Sequence, residues 1–247
     1  MARIIVENVN ISNLPQAVKG MRNPLESWGK SDSAVIYGVK NADDKIEIKT
    51  TPLRDFNQPL NAGVIDFILG EDDRALALRL IRGGAPHGKF LRQIGFIADI
   101  TAPMTWWWDF DTYKVATTKN STSRMHKLGS RMLTYGDFGW DEAGEETESF
   151  RAATISRLNE RILAWRSAKK NPDASAGELR KFWRAIIDDL PQSYMFKSTW
   201  SGNYQTLREV YFWRKGHKQA EFDEFRKFIE TLPCSELITE PFQKPEQ

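Results

Sequence analysis

One segment of the chain, Pro103 to His126, combines aromatic rings with charged and hydrogen-bonding side chains. Three consecutive tryptophans, Trp106 to Trp108, are followed by carboxylates, hydroxyls and finally Arg124. Aromatic planes beside donors and acceptors are the mixture that recognition of heterocycles and phosphates requires. The same composition also fits a buried aromatic cluster followed by a polar loop. The segment is therefore either a ligand site or a core element.

Other patterns that carry chemistry are weak in this sequence. Gly83-Gly84 leads into Ala-Pro-His and not into Gly-Lys-Ser, so a phosphate-binding loop is not indicated. Ser121 and Ser123 belong to no GxSxG elbow and suit hydrogen bonding better than nucleophilic attack. The three histidines are far apart and have no carboxylate-paired spacing, so we predict no metal site.

Composition limits the classes of function. The 247 residues include 35 basic and 33 acidic side chains, for a formal charge of +2, so we expect no binding to a nucleic-acid backbone. The chain is long enough for a sizeable core. A single cysteine, Cys234, excludes an intrachain disulfide and indicates a cytoplasmic protein. No apolar run approaches the roughly 20 residues of a membrane span, so no membrane contact is predicted.

Several elements must position these side chains. Residues 2–11 are rich in β-branched side chains, which predicts a strand. Asp72 and Asp73 begin a predicted helix that ends at Gly83-Gly84. A half-buried strand is predicted where apolar residues alternate, at Phe90, Ile94, Phe96, Ala98 and Ile100. Pro103 is placed to begin the next helix.

The second half of the chain has the spacing of amphipathic helices. The first stripe is Phe150, Thr154, Leu158, Ile162 and Trp165, and the second is Leu179, Phe182, Trp183, Ile186 and Ile187. Two further helices carry Leu207, Val210, Tyr211 and Arg214, and then Phe222, Phe225, Ile229 and Leu232. The acidic residues 140–148 read as a solvated loop or a helix start. The tail after about Pro233 is predicted to be loose.

These elements indicate one α+β domain over residues 1–247, with an N-terminal antiparallel sheet packed against helices from the carboxyl half. Residues 20–35 have no clear element and are a candidate lid or subunit contact.

Two blocks of the chain resemble one enzyme family, the flavin-dependent thymidylate synthases. The segment from Pro103 to Met125 is similar, without a gap, to that family's Pro-led helix followed by R-H-R-x-x-S-x-N-E-x-S-x-R. The matching positions are Thr112, Tyr113 and Lys114 on R-H-R, Thr117 on the first Ser, Asn120 on Glu, Thr122 on the second Ser, and Arg124 on the final Arg.

The second block runs from Leu190 to Phe222 and resembles the family's L-P…W-x-x-N-x-R-x-L…L-R…H-A-Q-x-E-I pattern. The residues that keep its spacing are Leu190, Pro191, Trp200, Asn203, Leu207 and Arg214, followed after one deletion by His217, Gln219 and Glu221. The resemblance covers roughly residues 90–228 and implies the fold called thymidylate synthase-complementing-protein-like.

The resemblance implies a homotetramer with sites between subunits, in which FAD stacks on deoxyuridylate. NADPH reduces the flavin there, and methylenetetrahydrofolate supplies the carbon. The residues implied for the cofactor are Asn203, His217, Arg214, Lys114 and Tyr113. Those for the nucleotide are Arg124, Thr122, Asn120 and again Arg214, to which we add Asp109 as an acceptor. No catalytic residue is assigned. Arginine suits these roles because its planar fork binds phosphate or uracil oxygens with two bonds.

Departures from the pattern indicate a changed ligand. Only Lys114 of the triplet keeps a positive charge, and Gln205 and Ile187 stand where the family has arginines. Each lost charge-assisted bond is worth about 1.5–3 kcal/mol, so ordinary deoxyuridylate is not expected to bind in the family's manner. Arg184, one helical turn before Ile187, is a candidate replacement. Trp106 to Trp108 with Asp109 and Asp111 add stacking planes and acceptors, which favour a ligand edge that presents an amino group.

Three classes of function remain open. The first is a flavin-dependent nucleotide methyl- or hydroxymethyltransferase that binds FAD and a pyrimidine nucleotide, with NADPH and methylenetetrahydrofolate needed only if catalysis is retained. The second is a non-catalytic protein that sequesters or senses a nucleotide on the same fold. The third is a structural oligomer that uses the same surface to bind a partner protein.

Overall fold

A computed structural model describes residues 4–58 and 62–242. Within them the strands are β1 (Ile5–Ser12), β2 (Ala34–Lys40), β3 (Ile46–Pro52), β4 (Ala62–Ile68), β5 (Gly95–Pro103), β6 (Thr118–Ser121) and β7 (Met195–Asn203). The α-helices are α1 (Leu14–Gly20), α2 (Glu71–Arg82), α3 (Met104–Phe110), α4 (Arg124–Lys127), α5 (Glu145–Lys170), α6 (Ala176–Asp188), α7 (Tyr204–Trp213), α8 (Glu221–Ile229) and α9 (Glu236–Thr239). Antiparallel sheets and helices confirm the predicted α+β class. The single domain over 1–247 stays a prediction.

The larger sheet has four antiparallel strands in the order β1, β5, β7, β6. β5 and β7 pair along their whole length, from Gly95 opposite Asn203 to Pro103 opposite Met195. Alternate residues of β5, beginning with Phe96, point into the core and are buried. The period-two pattern therefore predicted this strand correctly from Phe96 onward.

The start of that strand was predicted wrongly. Phe90 lies in a 3-10 turn, Gly88–Gln93, and Ile94 follows the turn before β5 begins. Phe90 and Leu91 are both buried, although they are neighbours in sequence. A strand with one buried face cannot bury two successive side chains, because they point to opposite sides of the sheet. The turn allows both to reach the core.

Helices α3, α7 and α8 pack against the larger sheet through aromatic side chains. The ring of Phe110 in α3 lies 5.0 Å from Trp200 of β7, measured between centroids, and 5.4 Å from Phe225 of α8. Leu207 and Val210 of α7 are fully buried in the same core. Burial of such side chains stabilises the fold by about 1.5–3 kcal/mol each, so this layer is a main source of stability.

A second sheet, in the order β3, β2, β4, was not predicted from the sequence. The alternation of apolar and polar residues in this sheet is hard to recognise in the sequence, because the pairing of β2 with β4 shifts register between Ile36 and Tyr37. Val35 points into the core and is buried, whereas Ile46 and Ile48 of β3 are largely exposed. The candidate lid, residues 20–35, contains two short 3-10 turns, Asn23–Leu25 and Trp28–Lys30, and ends in the first residues of β2.

Helices α5 and α6 form a separate pair with its own core. Leu158, Ile162 and Ile186 are buried there, as the two stripes predicted. Phe150 was predicted to face inward, but 73% of its surface is exposed. It lies near the amino end of α5. The helix itself begins at Glu145, within the acidic segment.

The prediction of a loose tail after Pro233 is wrong as far as Phe242. Leu237 and Ile238 of α9 are fully buried. Arg208 of α7 donates to the carbonyl oxygens of Ile238 at 2.8 Å and of Glu240, which fastens the segment to α7. Residues 243–247 lie outside the described chain.

A buried ion pair connects α2 to the segment before β2. Asp73 is fully buried and accepts hydrogen bonds from Arg22 Nε at 2.5 Å, Ser31 Oγ at 2.6 Å and the Oγ and backbone N–H of Ser33 at 2.6 and 3.2 Å. Because both charges are shielded from water, each depends on the other for compensation.

We expect Asp73→Asn to lower the free energy of unfolding by about 3–5 kcal/mol, because it leaves the buried Arg22 guanidinium without a counter-charge. Urea denaturation followed by circular dichroism measures the change. Asp43→Asn, at an exposed turn position, is the matched control and should shift stability by less than about 0.5 kcal/mol. Equal effects of the two substitutions would contradict the role of Asp73.

The only cysteine of the sequence, Cys234, should react slowly in the folded protein. Burial, reinforced by Glu236 and Asp66, raises the pKa of its thiol to about 12, so little nucleophilic thiolate is present at pH 8. Ellman's reagent should label it slowly in native buffer and rapidly in denaturant. Rapid labelling of the native protein would show that the segment after Pro233 opens readily.

Candidate functional site

Helix α3 carries the tryptophan triplet, and most of the triplet is core. Trp106 and Trp107 are fully buried, and the Trp107 indole N–H donates to the carbonyl of Phe196 at 3.2 Å. Trp108 is 51% exposed. The expectation of three stacking planes is therefore wrong for Trp106 and Trp107, because the helix turns them toward the aromatic core. Asp111, expected as a free acceptor, forms an ion pair with Lys119.

Beyond the carboxyl end of α3, side chains from two distant parts of the sequence meet around Arg214. We call Asp109, Thr112, Tyr113, Arg214 and His217 the Arg214 cluster. Arg214 Nη2 donates to the carbonyl of Asp109 at 3.1 Å and to Thr112 Oγ1 at 3.4 Å. Its guanidinium carbon lies 5.4 Å from the centre of the Tyr113 ring, a cation–π distance. Its Nε is buried and has no hydrogen-bond partner in the described chain.

His217 and Asp109 provide a titratable pair in this cluster. The backbone N–H of Gln219 donates to His217 Nδ1 at 3.2 Å, which leaves the proton of a neutral imidazole on Nε2. That nitrogen lies 3.7 Å from Asp109 Oδ2. The geometry would let His217 Nε2 hold or release a proton next to a carboxylate.

Burial raises the pKa of the Tyr113 hydroxyl, although the neighbouring Arg214 opposes the shift. Tyr113 is therefore a neutral hydrogen-bonding group at physiological pH. Lys114, the next residue, is exposed and has no ion-pair partner among the described residues. Of the five residues implied for a cofactor, the structure brings Arg214, His217 and Tyr113 together.

Asn203 has a different environment from the other implied cofactor residues. It is only 6% exposed, and its Oδ1 caps α7 by accepting the Thr206 N–H at 3.0 Å. Such a cap stabilises a helix by about 1 kcal/mol, which accounts for the residue without a ligand. Asn120 is exposed on the edge strand β6, opposite Thr199, and lies outside the Arg214 cluster.

Near the amino end of α3 is a cleft of about 290 Å³ rich in positive charge, which we call the basic cleft. Among its lining residues are Thr122, Ser123, Arg124, Lys127, Arg131, Asp137, Tyr194 and Lys197. Arg124 Nη1 contacts Met104 Sδ at 3.0 Å, and its guanidinium lies over the Phe196 ring. Thr122 Oγ1 donates to the Lys197 carbonyl at 3.0 Å.

The cations of the basic cleft are not equivalent. Arg131 is paired with Asp137, and Lys197 with Glu7 and Asp99. Arg124 and Lys127 have no carboxylate partner among the described residues. These two side chains are available to an anionic ligand, and the hydroxyl of Ser123 lies between them in sequence.

Sequence analysis identified Arg124 and Thr122 but missed Lys127, Arg131, Tyr194 and Lys197. Lys127 follows Arg124 by three residues on α4, a spacing that places both on one side of a helical turn. The other three come from a loop and from β7 with the turn before it, so only tertiary structure brings them to the cleft.

Helix α3 separates the two sites. Met104 touches Arg124 at one end, and Asp109 touches Arg214 at the other. At about 1.5 Å per residue, these positions are roughly 7–8 Å apart along the helix axis. Within the described residues, no group of three or more His, Cys, Asp or Glu side chains could hold a metal ion, and no helix is long and apolar enough to cross a membrane.

No protein-family model matches the chain, and no curated protein matches its sequence. Solved structures do match its fold. Flavin-dependent thymidylate synthase ThyX from Helicobacter pylori, complexed with FAD and dUMP, has a TM-score of 0.59 at 13% identity over 98% of this chain and 100% of that one. A second structure of that protein with FAD and dUMP gives the same TM-score and identity over 96% of each chain.

A UMP/dUMP methylase, PolB from Streptomyces cacaoi bound with 5-Br dUMP, matches with a TM-score of 0.53 and 15% identity over 92% of this chain and 88% of that chain. At these identities the likeness shows the fold. The chain therefore has the fold of ThyX, as the two sequence blocks implied.

We expect Asp137→Asn to destabilise the protein at pH 7. Burial alone would raise the pKa of Asp137, but hydrogen bonds from Arg131 and Thr134 outweigh it and hold the pKa below its usual value. A lowered folded-state pKa stabilises the protein above the unfolded pKa of about 3.9, and this contribution is lost as the pH falls through the folded pKa.

The difference in urea midpoint between wild type and Asp137→Asn should accordingly be largest near pH 7 and shrink toward pH 3. Asp173→Asn, in the exposed loop between α5 and α6, is the control and should show no such trend. A difference that is constant with pH would show that Asp137 does not act through its charge.

Proposed function

We propose that this chain binds a pyrimidine nucleotide in the basic cleft and FAD at the Arg214 cluster, and transfers a one-carbon unit to a pyrimidine nucleotide other than ordinary deoxyuridylate. The observation that carries the proposal is the position of Arg124. It falls on the final Arg of the family signature, and it is a cation of the basic cleft that has no carboxylate partner among the described residues. The fold likeness to structures with bound dUMP and 5-Br dUMP supports the same conclusion.

The basic cleft suits a phosphate monoester. Arg124 can bind two phosphate oxygens through its planar fork, and Lys127 adds a second charge. Ser123 supplies a hydroxyl donor. The volume of about 290 Å³ is at the small end of ligand pockets, which fits one mononucleotide rather than a dinucleotide.

The Arg214 cluster suits the pyrimidine edge of a flavin. Arg214 Nε is a donor and Gln219 Oε1 an acceptor, and neither has a partner in the described chain. An imide edge, with its C=O and N–H groups, could satisfy both after a small rearrangement. Tyr113 and His217 would flank it. When bound, FAD would supply the electrons, while these residues bind, orient and hold a proton at His217 Nε2.

Two residues that stand where the family has arginines have ordinary structural roles here, which supports a changed ligand. Gln205 donates from Nε2 to Glu209 Oε1 at 3.0 Å, and Ile187 packs in the core of α5 and α6. Arg184, the candidate replacement, pairs with Asp188 on the outside of α6 at 2.9 Å. Methylenetetrahydrofolate and NADPH belong to the proposal only if the protein is catalytic.

The proposal includes a cytoplasmic homotetramer. Trp108 and Val115 flank the segment 109–114 and are 51% and 85% exposed, and Trp213, next to Arg214, is 71% exposed. Exposed apolar groups around a polar cluster are typical of interaction surfaces. A second subunit covering them would complete the Arg214 cluster. Cys234, the only cysteine, fits a reducing compartment.

The first test is the colour of the protein. Purified or reconstituted protein should absorb near 450 nm if it binds FAD. Isothermal titration should then detect binding to at least one member of a panel of pyrimidine nucleotides that differ at the base edge. Absence of flavin binding together with absence of nucleotide binding would overturn the proposal and favour a structural oligomer.

Arg124→Gln should weaken nucleotide binding about 10- to 150-fold, because one charge-assisted contact of about 1.5–3 kcal/mol is lost. The matched control is Arg180→Gln, which changes an exposed arginine on α6 that belongs to neither candidate site and should leave the dissociation constant unaltered. Equal affinities of the Arg124 variant and wild type would remove the basic cleft from the site.

The alternative is a non-catalytic protein that sequesters or senses a nucleotide. The observation that favours it is the triplet Thr112-Tyr113-Lys114, in which an exposed lysine is the only cation left to act on a reacting base. Nucleotide-dependent oxidation of NADPH by the FAD-loaded protein separates the two. Its presence supports the enzyme, and binding without oxidation supports the alternative.

A further inference from the structure

A second basic depression, the α2 groove, lies between the outer side of α2 and the 3-10 turns of residues 23–30. Its volume is about 730 Å³, within the usual range of about 300–1,000 Å³ for small-molecule sites. The walls carry Lys30 on one side and Arg79 and Arg82 on the other. No lining residue is shared with the basic cleft, and none belongs to the Arg214 cluster.

The positive charge of the groove is only partly compensated. Arg82 Nε pairs with Glu240 at 2.6 Å, and Arg22, which also lines the groove, pairs with the buried Asp73. Lys30 and Arg79 are exposed and have no ion-pair partner among the described residues. One carboxylate, Asp72, lines the groove against these four cations. An anion would therefore be attracted to it.

The electrostatics of the α2 carboxyl end explain the cations on one wall of the groove only. Arg79 and Arg82 lie in the last turn of α2, where the exposed carbonyl groups favour cations without any ligand. Lys30 belongs to the opposite wall, in the turn Trp28–Lys30. Cations that line one space from two walls repel each other. An anion bound between them is attracted to both and offsets that repulsion.

Part of the groove's lining is apolar. Leu25, which is 53% exposed, lines it together with Ala75 and Leu76 of α2. An inorganic anion would make no use of this surface, whereas a base or sugar attached to a phosphate would bury it. Ala75, Arg79 and Arg82 recur at three- or four-residue spacing, so apolar and basic positions form one continuous row along α2.

We propose that the α2 groove is a second ligand site, which binds a phosphate-bearing molecule of the nucleoside diphosphate class. The diphosphate lies between Lys30 and the arginines Arg79 and Arg82, and the nucleoside packs on Leu25 and Ala75. The site is separate from the nucleotide and flavin positions of the proposed function and does not depend on them.

The test is isothermal titration of the full chain carrying Arg124→Gln, which removes the Arg124 guanidinium from the basic cleft. ADP should bind, inorganic pyrophosphate should displace it, and adenosine alone should not bind detectably. Lys30→Gln and Arg79→Gln, each added to this background, should weaken ADP binding by at least about 10-fold, the loss of one charge-assisted contact. Raising the salt to 0.5 M should weaken it further.

Lys45→Gln is the matched control, because it removes an exposed lysine from the turn between β2 and β3 and should not change ADP affinity. The proposal is overturned if the folded Arg124→Gln protein does not bind ADP. It is also overturned if Lys30→Gln and Arg79→Gln bind ADP as the background does, or if pyrophosphate fails to displace it. None of these outcomes bears on pyrimidine nucleotide binding by the wild-type basic cleft, so the two proposals fail independently.

Discussion

The arrangement of this protein depends on the burial of one short helix. Trp106, Trp107 and Phe110 of α3 are fully buried against β7 and α8, and the Trp106 and Phe110 rings stack with centroids 4.3 Å apart. A seven-residue helix has little stability of its own, so packing must hold it in place. Because its ends contact Arg124 and Arg214, the aromatic core also fixes where both candidate sites lie.

The two sites differ in how far their positive charges already have partners within the protein. In the basic cleft, Arg124 and Lys127 have no carboxylate partner within the described part of the chain, which suits a ligand that brings its own negative charge. In the Arg214 cluster, the guanidinium already contacts a carbonyl, a hydroxyl and an aromatic ring. Its remaining buried Nε favours a neutral hydrogen-bonding edge over a free phosphate. We therefore propose that phosphate recognition and ring recognition lie at opposite ends of α3.

Much of the fold could be predicted from the sequence, for identifiable physical reasons. Amphipathic periodicity located α2 and α5 to α8, because each helix buries a single stripe. The two sequence blocks led to the correct fold although no identity exceeds 15% among the matched structures described above. The second sheet was missed since its strands are exposed on one side and shifted in register. The loose tail was wrong because Arg208, over thirty residues upstream of Glu240, holds it.

The sequence by itself determined the fold class, the helices of the second half and some of the candidate residues for binding anions or rings, among them Arg124 and Arg214. Only the tertiary structure decided which of them are available. It buried Trp106 and Trp107, used Asn203 as a helix cap, and left Arg124 without a carboxylate partner in the part of the chain that the structure describes. The physical reason is that local periodicity fixes which side of an element is apolar. Availability depends on the partners that distant segments provide, and no local pattern contains that information.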